Sequence, residues 1–289
     1  MTSFNLEQSA RELTESIAKG PPLSGDFQVR IVRPRGSAGS LPAILYLHGG
    51  GWILGSWITH DLLTRRLAVG AEAAVVFVEY SRAPEAKYPV QLEQCYAAAE
   101  WIMEQGAGGG FDITRIAVAG DSADGNMATV LTLMAKQRGS DQFVHQSLYY
   151  PMTDADAKDS ESLRRFKDGP YGSAEGLAWF WNSYLTGAES RSDILVSPLR
   201  ATLADLEDLP PALVIVDEND VLRDQGEAYA DKLRAAGVPT TSVRFNGTIH
   251  DFMRLNALRD SESTRAAIAL AIAALRRAFD ARETPLEEK

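Results

Sequence analysis

The feature that most narrows the fold is an alternation along the chain. Apolar, β-branched runs recur at Ala43–Leu47, Ala74–Tyr80, Ile116–Ala119, Gln146–Tyr150, Ala212–Val216 and Thr241–Phe245. Short continuous runs of this kind read as strands buried on both faces. Helix-period stretches fill the gaps, at about Asp61–Ala68, Val90–Glu104, Asn126–Gln137, Gly226–Ala236 and Glu262–Phe279. Parallel neighbours need a long crossover, and a helix supplies it. The pattern therefore predicts an α/β chain with a mostly parallel sheet and helices on both faces. An earlier segment, Phe27–Val32, alternates and precedes Pro34, as an early edge strand does. With 289 residues, 45% of them hydrophobic, the chain suits one large domain.

Two segments break the alternation. Phe4–Lys19 reads as an amphipathic helix ahead of the first strand. Asp154–Gly187 separates two strands by far more than a usual connection, and it contains the aromatic stretch LAWFWNSYL, Leu177–Leu185. Long insertions inside compact domains usually serve function. The expected organisation is an α/β core over residues 20–153 and 188–289. Residues 1–19 and 154–187 would form a helical cap over the sheet's active end.

Composition excludes several classes. A formal net charge of -10 argues against nucleic acid or an anionic membrane as partner. No run approaches a membrane span. The opening MTSFNLEQSARELTES lacks the apolar core of a signal peptide. Cys95, the lone cysteine, stands in a helical context and is expected to be a small buried side chain. These features together point to the cytoplasm. Asn246-Gly247-Thr248, a glycosylation sequon by pattern, is read as a turn. The four histidines are too scattered for a zinc signature, and no Walker loop is present. GAGGGF, Gly106–Phe111, follows a helix rather than a strand, so it is a loop and not a dinucleotide fingerprint. No metal or cofactor is expected.

Open α/β sheets bind ligands at the carboxyl ends of their strands. Four motifs stand there: HGGGW (His48–Trp52), GDSADGN (Gly120–Asn126), DENDVLRD (Asp217–Asp224) and GTIHDF (Gly247–Phe252). Ser122 sits where a hydrolase places its nucleophile, in a strand-to-helix turn between small residues. A serine hydroxyl attacks only when a base takes its proton. His48 opens a glycine run, His60 a helix and His145 a strand. Only His250 has the place of a base that comes last in the order Ser, acid, His. The acid should follow a strand between the two. Asp217, Asp220 and Asp224 lie there, Asp224 at the start of a helix; spacing favours Asp217 or Asp220 without deciding. The glycines of HGGGW let backbone N–H groups approach a substrate, and the N–H of Ala123 adds another donor.

From about Pro42 to Ala274 the chain resembles the hormone-sensitive-lipase-like esterases of the α/β-hydrolase fold, bacterial family IV. The four motifs carry the resemblance. EYSRAPEAKYPVQLEQCYAA (Glu79–Ala98) is similar to the family's Y-R-L-A-P-E segment, with Ser81 and Arg82 departing from it. The resemblance implies an eight-stranded, mostly parallel sheet with a small helical cap. It implies hydrolysis of short-chain carboxylic esters through an acyl-enzyme, with no cofactor. Ser122 would be the nucleophile, His250 the base, and Gly49, Gly50 and Ala123 the oxyanion donors. The family's D-P-L-R-D pattern aligns with Asp220–Asp224 and so assigns the acid to Asp220. Family members also suggest a homodimer through the last strand and last helix. Two other classes share the fold: a non-catalytic binder of small molecules, as in the gibberellin receptors, and a lactonase or amidase. Three features depart from the family: a short N-terminal arm, and Asp124 and Asp251 where glycines are usual. Each aspartate puts a carboxylate beside a catalytic residue. Asp124 is expected to crowd the turn and repel the oxyanion, so that Asp124→Gly would raise both turnover and melting temperature.

Overall fold

The computed structural model describes residues 13–19, 27–157, 160–187 and 191–281, the first segment as backbone. Eight strands form one sheet: β1 (Leu13–Lys19), β2 (Gln28–Pro34), β3 (Leu41–Leu47), β4 (Ala74–Glu79), β5 (Phe111–Asp121), β6 (Phe143–Tyr149), β7 (Ala212–Asn219) and β8 (Thr240–Ile249). Their order is β1-β2-β4-β3-β5-β6-β7-β8. β2 runs antiparallel to both β1 and β4, and every pairing from β4 across to β8 is parallel. The helices are α1 (Trp57–Ala71), α2 (Val90–Gln105), α3 (Ala123–Gln137), α4 (Glu161–Arg165), α5 (Ala174–Tyr184), α6 (Leu203–Leu206), α7 (Arg223–Ala235) and α8 (Glu262–Asp280).

Successive strand residues point to opposite faces, and β3 shows why its run is apolar throughout. Leu45 and Leu47 enter one core with Leu92 and Ile102 of α2, Met127 and Leu131 of α3, and Leu233 of α7. Ile44 and Tyr46 enter the other, with Leu63 and Leu67 of α1 and Ile268, Ala271 and Leu275 of α8. Each fully buried Leu or Ile contributes about 1.5–3 kcal/mol. Cys95 of α2 is fully buried in the first core. No helix among the described residues is long and apolar enough to cross a membrane.

Three expectations change. Leu13–Lys19 is a strand and not part of a helix; it pairs from Leu13↔Pro34 to Lys19↔Gln28. An open edge of β2 offers a row of backbone partners, and pairing there outweighs a short helix that is marginal by itself. Residues 4–12 of the expected helix lie outside the described residues. β2 is consequently second from the edge. Asn246-Gly247-Thr248 lies within β8, where Gly247 has φ +73° and the β7–β8 register shifts. It is a bulge that aims the following residues, among them His250, toward the site.

Candidate active site

Ser122 joins β5 to α3 with φ 57°, ψ -123°, a conformation that side chains other than glycine rarely adopt. Such a turn leaves little room around it. A Cβ on Gly120 would lie 2.2 Å from the Asp124 carbonyl oxygen, and one on Gly125 would lie 2.9 Å from Pro151. The sharp bend lifts Ser122 Oγ toward His250, which follows β8, and His250 Nε2 lies 2.9 Å from it. On the other side of the ring, Nδ1 is 2.8 Å from Asp220 Oδ2, just past β7. An ionised carboxylate only accepts, so Nδ1 carries a proton, and in the neutral imidazole Nε2 then accepts from the serine hydroxyl. Asp220 Oδ1 accepts from the Leu222 N–H at 3.0 Å.

Spacing left the acid open between Asp217 and Asp220, and the side chain at the imidazole is Asp220. Asp217 is buried close by, with a carboxyl oxygen within 4.8 Å of polar atoms of Asp220 and His250, but neither of its carboxyl oxygens makes a hydrogen bond. Burial, reinforced by the nearby Asp220 charge, pushes its carboxyl well above the ordinary range, so it stays neutral. For His250, burial opposes the cation, but the charges of Asp220 and Asp251 and the Asp220 hydrogen bond outweigh it. The imidazole is held above its ordinary 6.5.

The backbone amides correct one expectation. Gly49 N–H donates to Asp121 Oδ1 at 3.1 Å, so it cannot serve an oxyanion. The Asp121 carboxylate is fixed by Tyr46 Oη at 2.7 Å and His60 Nε2 at 3.1 Å. Burial raises its pKa, but His60 and the hydrogen bonds outweigh that and keep it ionised. The amides of Gly50 and Gly51 meet no acceptor among the described residues. Ala123 opens α3, so its N–H has no partner within the helix. Three free donors thus stand at Gly50, Gly51 and Ala123.

Gly50, Gly51, Ser122 and His250 border a cavity of about 530 Å³, which Tyr171, Leu177, Phe180 and Val221 also line. A larger, more open cavity of about 1010 Å³ sits at the amino ends of β6, β7 and β8 and holds none of this chemistry. The Asp154–Gly187 insertion reaches the site through α5. Trp52, from HGGGW, stacks on Tyr184 with ring centroids 4.1 Å apart, and Trp181 lies 4.5 Å from the Trp52 ring. This clamp seats Phe180 against Gly51, where a Cβ would fall 2.1 Å from the phenyl ring.

The family described as alpha/beta hydrolase fold matches residues 44–254. The chain belongs to the α/β-hydrolase family. It is 38% identical to the carboxylesterase NlhH of Mycobacterium tuberculosis, across 89% of this chain and 80% of that protein. It is also 38% identical to an ethyl acetate hydrolase of Pseudomonas putida, across 80% of this chain and 72% of the relative. A crystal structure of a thermostable Pseudomonas putida esterase superposes with a TM-score of 0.91 at 42% identity, covering 96% of this chain and 85% of that one. The relatives place the chain in the hormone-sensitive-lipase-like branch of the α/β hydrolases.

Against that family pattern Asp124 stands out, and the structure reverses its expected effect. Tyr80 Oη lies 2.9 Å from Asp124 Oδ2 and 3.0 Å from the His48 carbonyl oxygen. A phenol has one proton, and a carbonyl can only accept. The one Tyr80 proton is shared between two acceptors, the Asp124 carboxyl and the His48 carbonyl. Burial, followed by the Asp121 charge, pushes the Asp124 carboxyl well above the usual 3.8. A neutral acid does not repel an oxyanion, and the glycine that must be small against Pro151 is Gly125. Asp124→Gly is therefore not expected to raise turnover.

Asp124→Asn tests the protonation. The unfolded chain releases this proton above about 3.8, whereas the folded chain keeps it. Stability from this group is full below that value and declines as pH rises toward the folded pKa. Asparagine accepts from Tyr80 through its amide oxygen and has no proton to lose. The variant should be more stable than the parent by about 1–4 kcal/mol near pH 7, with the gap closing as pH approaches 4. Melting curves at the two pH values check this; a variant that is destabilised at pH 7 would mean an ionised Asp124.

Asp251, the other departure, has φ 68°. Its Oδ2 pairs with Arg254, whose Nη2 also donates to Tyr171 Oη at 3.1 Å. The Tyr171 ring lies over the His250 ring, with centroids 6.3 Å apart. Neither Arg254 nor Tyr171 was visible from motifs. Arg254 is one helical turn beyond Asp251, a weak signal; Tyr171 lies in the insertion and had none.

Proposed function

We propose that Ser122, His250 and Asp220 hydrolyse carboxylic esters through a covalent acyl-enzyme. The observation that carries the reading is the unbroken path from Ser122 Oγ through His250 to Asp220, ending beside three unengaged amides. Ser122 Oγ attacks the ester carbonyl carbon while His250 Nε2 takes the hydroxyl proton. Asp220 keeps the ring oriented and offsets the imidazolium charge. The amides of Gly50, Gly51 and Ala123 receive the oxyanion, in place of the set beginning at Gly49. When the tetrahedral intermediate collapses, Nε2–H protonates the departing alcohol. Water, deprotonated by the same nitrogen, then attacks the acyl carbon and frees the acid. No step requires a metal or cofactor.

We confine the cap to residues 154–187, since Leu13–Lys19 belongs to the sheet. Leu177 and Phe180 close the acyl end of the pocket, which favours short acyl groups. Phe180→Ala should shift the preference of kcat/KM toward longer chains in a series from acetyl to octanoyl esters. Each newly accommodated methylene is worth about 0.8 kcal/mol, roughly fourfold. An unchanged profile would remove Phe180 from the acyl wall. A fluorophosphonate should label Ser122 stoichiometrically, which a pure binding module would not show.

The outer edge of β8 has no neighbouring strand among the described residues, and it supports a homodimer formed across β8 and α8. A cytoplasmic setting agrees with Cys95 as an unpaired buried thiol.

A further inference from the structure

One polar pair at the site takes no part in the mechanism above. The left-handed backbone of Asp251 turns its carboxylate back toward the imidazole, with Oδ1 3.9 Å from His250 Nε2. Arg254 holds Oδ2. Oδ1 is buried without a hydrogen-bond partner, and Asp251 is among the residues that line the cavity. Asp251 as a whole is 5% exposed. A buried carboxylate oxygen left without a donor costs free energy, so a donor brought by a substrate would bind there with a net gain.

The neighbouring imidazole fixes where that donor comes from. Nε2 must hand its proton to the alcohol oxygen of the ester, which places that oxygen within hydrogen-bond reach of Nε2. A hydroxyl on the next carbon, gauche to that oxygen, then falls beside Asp251 Oδ1. Arg254 neutralises the carboxylate and disfavours an ammonium at the same place, so the fitting donor is a neutral hydroxyl. We propose that Asp251 Oδ1 accepts a hydrogen bond from a vicinal hydroxyl on the leaving alcohol, making monoesters of diols and polyols the preferred substrates. This rests on the Ser122–His250 reading and names the substrate class of that site.

The test compares glycol monoacetate with propyl acetate, which differ by a hydroxyl in place of a methyl. The ratio of their hydroxide-catalysed rates corrects for leaving-group reactivity. With the unsubstituted protein the kcat/KM ratio should exceed the hydroxide ratio by about 10–100-fold, the worth of a hydrogen bond to a charged acceptor. Asp251→Gly should return the ratio to the hydroxide value. Asp251→Asn keeps an acceptor oxygen and should retain part of the preference. Glycine and asparagine both tolerate the positive φ, and a ratio cancels any common change in turnover. Propyl acetate cleaved with no hydroxyl preference, or a preference unchanged in Asp251→Gly, would overturn this inference alone. Failure of the unsubstituted protein to cleave either ester would overturn the esterase reading and the inference with it.

Discussion

Ser122→Ala should lower kcat by about 10⁴–10⁶-fold, or roughly 5–8 kcal/mol of transition-state stabilisation, without loss of the fold. Alanine has the same Cβ as serine, so the strain at φ 57° is unchanged. The substitution removes only the Oγ and its hydrogen bond to His250. Residual activity would come from the amides of Gly50, Gly51 and Ala123 acting on an ester attacked by water. His250→Ala should cost about as much, because the hydroxyl without its base is a poor nucleophile. The double variant should be little worse than either single one, since groups that act as a unit are not additive. Steady-state rates on an acetyl ester, with melting temperatures beside them, decide the matter. A Ser122→Ala protein within a factor of about 10² of the parent would assign the nucleophile elsewhere.

Asp220→Asn should lower kcat by about 10⁴-fold, whereas Asp217→Asn should cost less than about tenfold. Asp220 Oδ1 already accepts the Leu222 N–H. An asparagine keeps its carbonyl oxygen there and turns its NH₂ toward His250 Nδ1. Two donors cannot face each other, so the ring proton moves to Nε2, which can then no longer accept from Ser122. Asp217 is a neutral buried acid with no hydrogen bond to the imidazole, and an amide reproduces its size and lack of charge. Parallel kcat measurements on the two variants suffice. A crippled Asp217→Asn beside a mild Asp220→Asn would reverse the assignment.

Much of this protein was legible before its structure. The strand runs showed because both faces of each central strand are buried, as Leu45 and Ile44 show on opposite sides of β3. Ser122 and His250 showed because turns after parallel strands carry recognisable residue patterns. Those signals are short in range: side-chain period, small residues at a sharp bend, order along the chain.

Only the tertiary structure decided the rest. Asp217 and Asp220 are three positions apart, and the exit of β7 toward β8 selects which one meets the imidazole. Gly49 lost its amide to Asp121, a residue far along the chain that a different strand brings within reach. Leu13–Lys19 became a strand because the open edge of β2 needed a partner, a demand that its own residues do not encode. Asp124 holds its proton because burial and the nearby Asp121 charge disfavour its ionised form. Pattern and order are properties of neighbouring residues, so sequence alone determined the fold class and singled out Ser122 and His250 as candidate nucleophile and base. Hydrogen-bond availability and protonation depend on distant groups packed together away from water, and these only the folded chain brings into place.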